Sequence, residues 1–176
     1  MREASRRMAV CGVSAALCVV LMMLGGVIPL ATFCCPALAG LMLIPVFVEC
    51  GEKLSWCAYA AIAALSLILC PDKEAALLLA FIGYYPILRW RLDQLRSRLL
   101  RVVAKLGVFN LAVIAMYALS ILVLQMDQIL REYQEMGLAL TVACLLVGNV
   151  TLLLYDRLIA IMTALYVNRL RGRLMK

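Results

Sequence analysis

The chain has 176 residues, of which 66% are hydrophobic and 15% charged, with a mean hydropathy of +1.03 and a formal net charge of +7. Soluble domains carry roughly 25% charged residues, and a soluble core of this size could not bury so much apolar surface. The composition therefore excludes a soluble protein, and the chain is too short to carry a catalytic domain beside a bundle of membrane helices.

The first predicted elements lie in a stretch of 41 residues, Met8 to Val48, that has no charged side chain and is interrupted at Pro29 and Pro36. Because about 20 apolar residues cross a bilayer core, this stretch predicts two membrane helices joined by a tight turn. A cleaved signal peptide is the alternative for the first helix. The apolar run, however, is longer than the roughly 7–15 residues of a signal peptide's apolar core, and no clear small-x-small cleavage site precedes Pro29.

Four more uncharged stretches follow, with 18, 14, 21 and 20 residues. The 14-residue stretch reaches membrane length if its helix starts near Asp72 and if Arg89 and Arg91 extend their side chains to the membrane surface. We therefore predict an all-α protein, a single integral membrane bundle of six transmembrane helices over residues 1–176. The approximate spans are 8–29, 35–49, 54–70, 73–89, 106–126 and 136–156.

Charge is distributed unequally over the predicted loops. If all six segments cross, 14 of the 17 cations lie in segments on one side, and Arg157 lies at the same inner interface. Only Lys73 and Arg131 lie on the other side, beside acidic loop residues. The positive-inside rule then predicts a multi-pass protein of the cell (inner) membrane with both termini cytoplasmic. The 14 cations are Arg2, Arg6, Arg7, Lys53, Arg89, Arg91, Arg96, Arg98, Arg101, Lys105, Arg169, Arg171, Arg173 and Lys176.

The segment from Leu88 to Lys105 has leucines and a valine at spacings of three and four, with arginines distributed around them. This pattern predicts an interfacial amphipathic helix between helices 4 and 5. It is interpreted either as a connector anchored in lipid or as a docking surface for a partner. Nucleic acid is not an expected partner, because the cations lie next to membrane ends, where they meet anionic lipids.

The chain has eight cysteines and no histidine. It also lacks the GxSxG, HExxH and Walker A patterns, so we expect no enzyme, no metal site and no cofactor. The sequence is compatible both with a disulfide from Cys34 or Cys35 to Cys70 and with free cysteines at these positions. Asp156, beside Arg157 at the predicted inner interface, is interpreted either as a helix-end contact or as part of a proton relay.

Candidate ligand-binding residues follow from polarity and depth. Thr32 lies in the first outer loop, Asp72 and Lys73 lie in the second, Gln125 ends the fifth segment, and Asn149 lies inside the sixth. An uncharged polar group in lipid finds a partner inside the bundle, which makes Asn149 the first candidate. An interhelical hydrogen bond is the other interpretation of Asn149.

Small residues lie along one side of the first segment: Ala9, Gly12, Ala15 and Ala16. Such spacing lets helix backbones approach closely, because packing rather than the hydrophobic effect joins helices in lipid. The pattern predicts either internal packing or a partner interface.

With its basic start, the run from Met8 to Leu21, the Leu24-Gly25 pair and Pro29, the chain resembles the first helix of the S components of energy-coupling factor (ECF) transporters. The length, six spans and cytoplasmic termini are similar to that family as well. In S components, small residues on helix one pack against a transmembrane T component. Gly12 and Ala16 match the spacing, with Gly in place of the first Ala.

The resemblance implies a membrane-embedded subunit that captures a vitamin-like small molecule and docks on a T component and two ATPase subunits. The family binds its substrate in the outer half, and here the corresponding loops are Leu30–Pro36 and Pro71–Glu74. The first of these loops has little polarity, which favours a hydrophobic ligand. A non-transport membrane scaffold or assembly factor is the alternative function.

Overall fold

The computed structural model describes residues 2–25, 31–122 and 127–170, and this part of the chain is helical with no strand. Eight α-helices are followed by a π-helical turn at Tyr166–Leu170. The helices are α1 Arg2–Gly25, α2 Ala31–Leu41, α3 Leu43–Cys50, α4 Glu52–Leu69, α5 Lys73–Ile82, α6 Tyr85–Asp93, α7 Arg98–Leu122 and α8 Asp127–Leu165.

Six helical stretches are long and apolar enough to cross a membrane, which confirms the predicted all-α chain with six membrane-length segments. They are numbered as spans one to six: Arg7–Gly25, Ala31–Cys50, Glu52–Leu69, Lys73–Asp93, Arg98–Ser120 and Leu140–Arg169. The sixth continues well past the predicted end at residue 156. Asp156 therefore lies inside span six instead of at its end.

Two spans are interrupted by proline. Span two breaks at Met42 because Pro45, having no backbone N–H, cannot donate to the carbonyl of Leu41. Span four breaks at residues 83–84, since Pro86 cannot donate to the carbonyl of Ile82 in the same way. Each of these spans consequently consists of two short helices.

The segment Leu88–Lys105 differs from the prediction, because it does not form one amphipathic helix. It is divided between the end of α6 and the start of α7, with a turn over residues 94–97. Arg89 and Lys105, which a surface helix would expose, both reach Asp156 on α8. The chain must turn between these two cations to bring both to the same carboxylate.

The ends of the spans pair as an up-and-down bundle requires. The Cys50 thiol donates to the carbonyl of Arg7 at 3.3 Å, and Arg91 pairs with Glu52 at 2.6 Å. We call this end of the bundle the basic end. At the opposite end, the Asp72 end, Thr32 Oγ1 donates to Asp72 Oδ2 at 2.8 Å.

The sixth span returns to the basic end, where the Tyr166 hydroxyl contacts Glu49 at 3.5 Å. Spans one and six thus have their terminal ends on the same side of the bundle. The structure has this alternation in common with the predicted topology.

The core consists of two buried clusters. The first lies within spans one to four and contains Cys18, Met22, Ala39, Leu43, Ile62, Cys70, Ala75, Ala76, Leu79 and Ile87. The second joins span six to spans two and four and contains Leu41, Ile44, Tyr85, Leu152 and Ile159. By contrast, every α8 residue from Val142 to Val147 is exposed. Six consecutive residues cover all sides of a helix, so this stretch stands away from the described bundle.

Candidate functional site

The most highly charged contact in the described bundle centres on Asp156 of α8. Its Oδ1 accepts hydrogen bonds from the Tyr85 hydroxyl at 2.8 Å, Arg89 Nε at 2.7 Å and Lys105 Nζ at 2.9 Å. Asp93 bridges the same two cations, 2.7 Å from Lys105 Nζ and 3.2 Å from Arg89 Nη2. We call Arg89, Asp93, Lys105 and Asp156 the charge cluster; it connects spans four, five and six.

The charge cluster is neutral, because two cations meet two carboxylates. The Lys105 side chain is only 7% exposed, and burial of a lysine is tolerated when its charge is paired and hydrogen-bonded. Since every charge has an opposite neighbour, the cluster has no net attraction for a further ion. The ion pairs of the charge cluster connect α6, α7 and α8.

The charge cluster was not predicted from the sequence, in which Asp156 was paired with Arg157. Arg157 is exposed, and the partners of Asp156 come from other helices. Arg89 and Lys105, predicted at the membrane surface, both bind Asp156. The sequence does contain one indication: the apolar residues continue after Arg157, so that Asp156 lies inside a membrane-length segment. An acid inside a membrane helix requires a cationic partner.

Three predicted ligand-binding residues lie close together at the Asp72 end, and each has contacts within the protein. Asp72 is the N-cap of α5, and its Oδ1 accepts the backbone N–H groups of Glu74 and Ala75 at 3.0 and 3.2 Å, while Oδ2 accepts the Thr32 hydroxyl. Lys73 Nζ donates to the carbonyls of Leu67 and Cys70 at 2.9 and 3.2 Å.

These carbonyls belong to the C-terminal end of α4, where a lysine complements the helix dipole. Capping and connection of helices therefore account for the described contacts of Thr32, Asp72 and Lys73. Gln125, the fourth predicted outer residue, lies outside the described residues.

Asn149 forms the interhelical hydrogen bond that was one of its two interpretations. Its side chain exchanges two hydrogen bonds with Asn110 of α7, with N–O distances of 3.1 and 3.3 Å. Each amide also donates to its own helix, four residues back. The pair links spans five and six, and these bonds account for its polar groups without a ligand.

A cleft lies next to these Asp72-end contacts, between α2, α5 and α7. It is lined by Phe33, Glu74, Leu77, Leu78, Met116, Tyr117 and Ser120 and has a volume of about 30 Å³. Ligand pockets measure about 300–1,000 Å³, whereas about 10–15 Å³ of such space is enough for one water molecule. In this conformation the cleft can hold water. It would have to widen before a vitamin-sized molecule could bind.

The small residues of α1 lie mainly on the outside of the bundle. Ala9, Gly12 and Ala16 are exposed and Ala15 is partly buried. A Cβ atom added at Gly12 would meet no atom within 4 Å. The buried side of α1 is instead formed by Ser14, Cys18 and Met22, at spacings of four. Packing among the described residues does not use the Gly12–Ala16 step.

The cysteines are free in the structure. Cys34 is exposed, whereas Cys35 and Cys70 are buried, and the Cys70 thiol donates to the carbonyl of Met22 at 3.2 Å. The disulfide that the sequence analysis left open is therefore not formed here.

Comparison with known proteins gives no further assignment: no family model, no curated protein and no solved structure matches this chain.

Proposed function

We propose that this protein is the membrane-embedded substrate-binding subunit of an ECF-type micronutrient uptake transporter. It would dock on a T component and two ATPase subunits and bind a vitamin-like small molecule. The observation that carries the proposal is the outward position of the small residues on α1.

Gly12 and Ala16 lie one helical turn apart on the outside of α1, with no side chain of the bundle above Gly12. In lipid, such a surface gains van der Waals contacts when a second helix backbone approaches closely, and larger residues keep the helices apart. Val13 and Val20, which are 62% and 52% exposed, extend the same face. A partner helix seated here would cover apolar surface over most of the length of α1.

The up-and-down arrangement of the described spans also suits a subunit of this kind. The terminal ends of spans one and six lie at the basic end, where the positive-inside rule predicts the cytoplasm. Nucleotide hydrolysis would be carried out by separate subunits, so the proposal requires no nucleotide-binding motif in this chain.

The ligand site that we propose is the cleft at the Asp72 end. Its lining is mostly apolar, with Glu74, Tyr117 and Ser120 as the polar exceptions, which favours a predominantly hydrophobic ligand. Opening the cleft requires movement of the surrounding helices. Every residue of the Val142–Val147 stretch of α8 is exposed within the described part of the chain, so movement of this stretch would break few packing contacts there.

The experiment that tests docking is purification of the protein from its own membrane with its partners. Substitution of Gly12 and Ala16 by leucine places two large side chains on the outside of α1, where the described bundle has free space above Gly12. We expect this double variant to remain folded but to lose a T component and ATPase subunits that the unaltered protein retains. Partner content is measured by native mass spectrometry.

The control is Ala143→Leu, which repeats the Ala→Leu change of position 16 at an exposed position of α8. We expect this variant to keep its partners. If the double variant on α1 keeps the same set of partners, the outer face of α1 is not the docking surface.

The alternative function, a membrane scaffold or assembly factor, is favoured by the small volume of the cleft. The same mass spectra separate the two functions. Recovery of unrelated membrane proteins, with neither ATPases nor a small molecule, would support the scaffold and contradict the transporter subunit.

A further inference from the structure

The six cations between Arg89 and Lys105 fall into two classes. Arg89 and Lys105 belong to the charge cluster, and Arg91 pairs with Glu52. Arg96, Arg98 and Arg101 form no ion pair within the described residues. The uncompensated charge of this segment is therefore concentrated in the 94–97 turn and the first turns of α7.

Exposed apolar side chains also lie in the first turns of α7. Arg96 and Arg98 are exposed, and on α7 Leu99 is 80% exposed and Val103 is 64% exposed, one helical turn further on. An exposed leucine and valine next to uncompensated cations are typical of a segment at a membrane–water interface.

Arg101 differs from the other two arginines because it is partly buried. Its Nε is buried and has no hydrogen-bond partner within the described part of the chain. A guanidinium that has lost part of its hydration gains more from an anion at its remaining N–H groups, and planar guanidinium groups suit phosphate oxygens. The start of α7 adds free backbone N–H groups and the positive end of the helix dipole.

We propose that the segment 96–101 binds the phosphate of an anionic phospholipid in the leaflet at the basic end, with an acyl chain lying along Leu99 and Val103. A soluble phosphate would satisfy the arginines but leave both apolar side chains in water. A phospholipid satisfies the two features together, which is why we assign the site to lipid. This site is separate from the proposed docking surface on α1, and its test does not depend on the transporter function.

The test uses the full-length protein in detergent with equal amounts of phosphatidylglycerol and phosphatidylcholine. Native mass spectrometry measures which lipid stays bound. Neutralisation of the three arginines in Arg96→Gln/Arg98→Gln/Arg101→Gln should reduce retention of phosphatidylglycerol on the order of a hundredfold, since each cation near an anionic surface contributes about 1 kcal/mol. Retention of phosphatidylcholine should not change.

The control variant removes the same charge from three other exposed cations, Lys53→Gln/Arg157→Gln/Arg169→Gln. We expect it to keep phosphatidylglycerol. If both variants lost phosphatidylglycerol equally, the proposed site would be wrong. The lipid would then be held by the net charge of the protein and not by these three arginines. Circular dichroism checks that both variants have the helix content of the unaltered protein, and Arg96→Lys/Arg98→Lys/Arg101→Lys, which keeps the charge, should retain most of the binding.

A further pair of measurements distinguishes lipid from other anionic partners. Leu99→Ser/Val103→Ser leaves the charge unchanged and should weaken retention of phosphatidylglycerol about tenfold, through loss of apolar contact. Displacement of the lipid by soluble glycerol 3-phosphate would instead assign the arginines to a free phosphate and overturn the proposal. Binding of an acidic protein at these arginines, with no preference between the lipids, would overturn it as well.

Discussion

Lys105 is a lysine whose side chain is almost fully buried and whose ammonium has carboxylate oxygens of Asp156 and Asp93 within 3.0 Å. Burial of one charge alone would be prohibitive, but a neutral group of four charges, each hydrogen-bonded, removes most of that penalty. The protein loses stability when one residue of the charge cluster is replaced, because the charge that remains is then buried without its partner.

We therefore expect Asp156→Asn to destabilise the protein by about 3–5 kcal/mol, the usual cost of removing one partner of a buried ion pair. Thermal unfolding in detergent, followed by circular dichroism, measures the loss. Arg157→Gln changes the exposed neighbouring residue and should alter the melting temperature only slightly. If the two variants melt alike, the charge cluster does not contribute to stability.

For single residues, polarity in the sequence predicted some hydrogen-bond partners and not others. Asn149 was expected either to bind a ligand or to bond across helices, and it bonds to Asn110. The partners of Asp156 are 51 to 71 residues away in sequence, and no local pattern connects them. Thr32, Asp72 and Lys73 were predicted in two outer loops, but Thr32 lies in α2 and donates to Asp72. Asp72 caps α5 and Lys73 donates to carbonyls at the end of α4.

Gly40 of α2 lies close to the side chain of Tyr155 on α8. The Tyr155 hydroxyl donates to the carbonyl of Ala37 at 2.9 Å, and a Cβ atom at Gly40 would lie 2.7 Å from that hydroxyl oxygen. Glycine at position 40 is thus required by a close approach and not by its backbone angles.

We expect Gly40→Ala to destabilise the protein by about 1–3 kcal/mol, the usual cost of overpacking a filled core. Removal of the hydroxyl in Gly40→Ala/Tyr155→Phe should recover part of this loss. Chemical unfolding of the single and double variants provides the comparison. Gly107→Ala is the matched control, because its new Cβ has open space and alanine favours the helix; a loss at Gly107 equal to that at Gly40 would rule out overpacking as the cause.

The helices themselves were largely predictable, since runs without charge mark membrane-length segments. Two features could not be read from such runs. The sixth helix continues past Asp156, because its charge is neutralised by other spans. The division of Leu88–Lys105 between α6 and α7 likewise depends on contacts with α8, which lies far along the chain.

At the scale of the whole molecule, alternating spans place the 70–72 loop at the Asp72 end and the 94–97 turn at the opposite end. The positive-inside rule assigns the second of these to the cytoplasm. In a variant without its natural cysteines, we expect Pro71→Cys to react with a membrane-impermeant maleimide in intact cells. Ser97→Cys should react only after permeabilisation.

Both positions are exposed, so accessibility does not favour one over the other. The reverse pattern of labelling would place the termini outside and would contradict the predicted orientation. Labelling of both positions in intact cells would show that the spans do not cross as predicted.

The charge cluster also has a consequence for the order of synthesis. Its two cations and Asp93 come from spans four and five, whereas Asp156 comes from span six. Without span six, Arg89 and Lys105 would share the single carboxylate of Asp93, which leaves one positive charge without an opposite partner. We therefore expect spans four and five to reach their final packing only after span six has been synthesised and has brought Asp156 to the two cations.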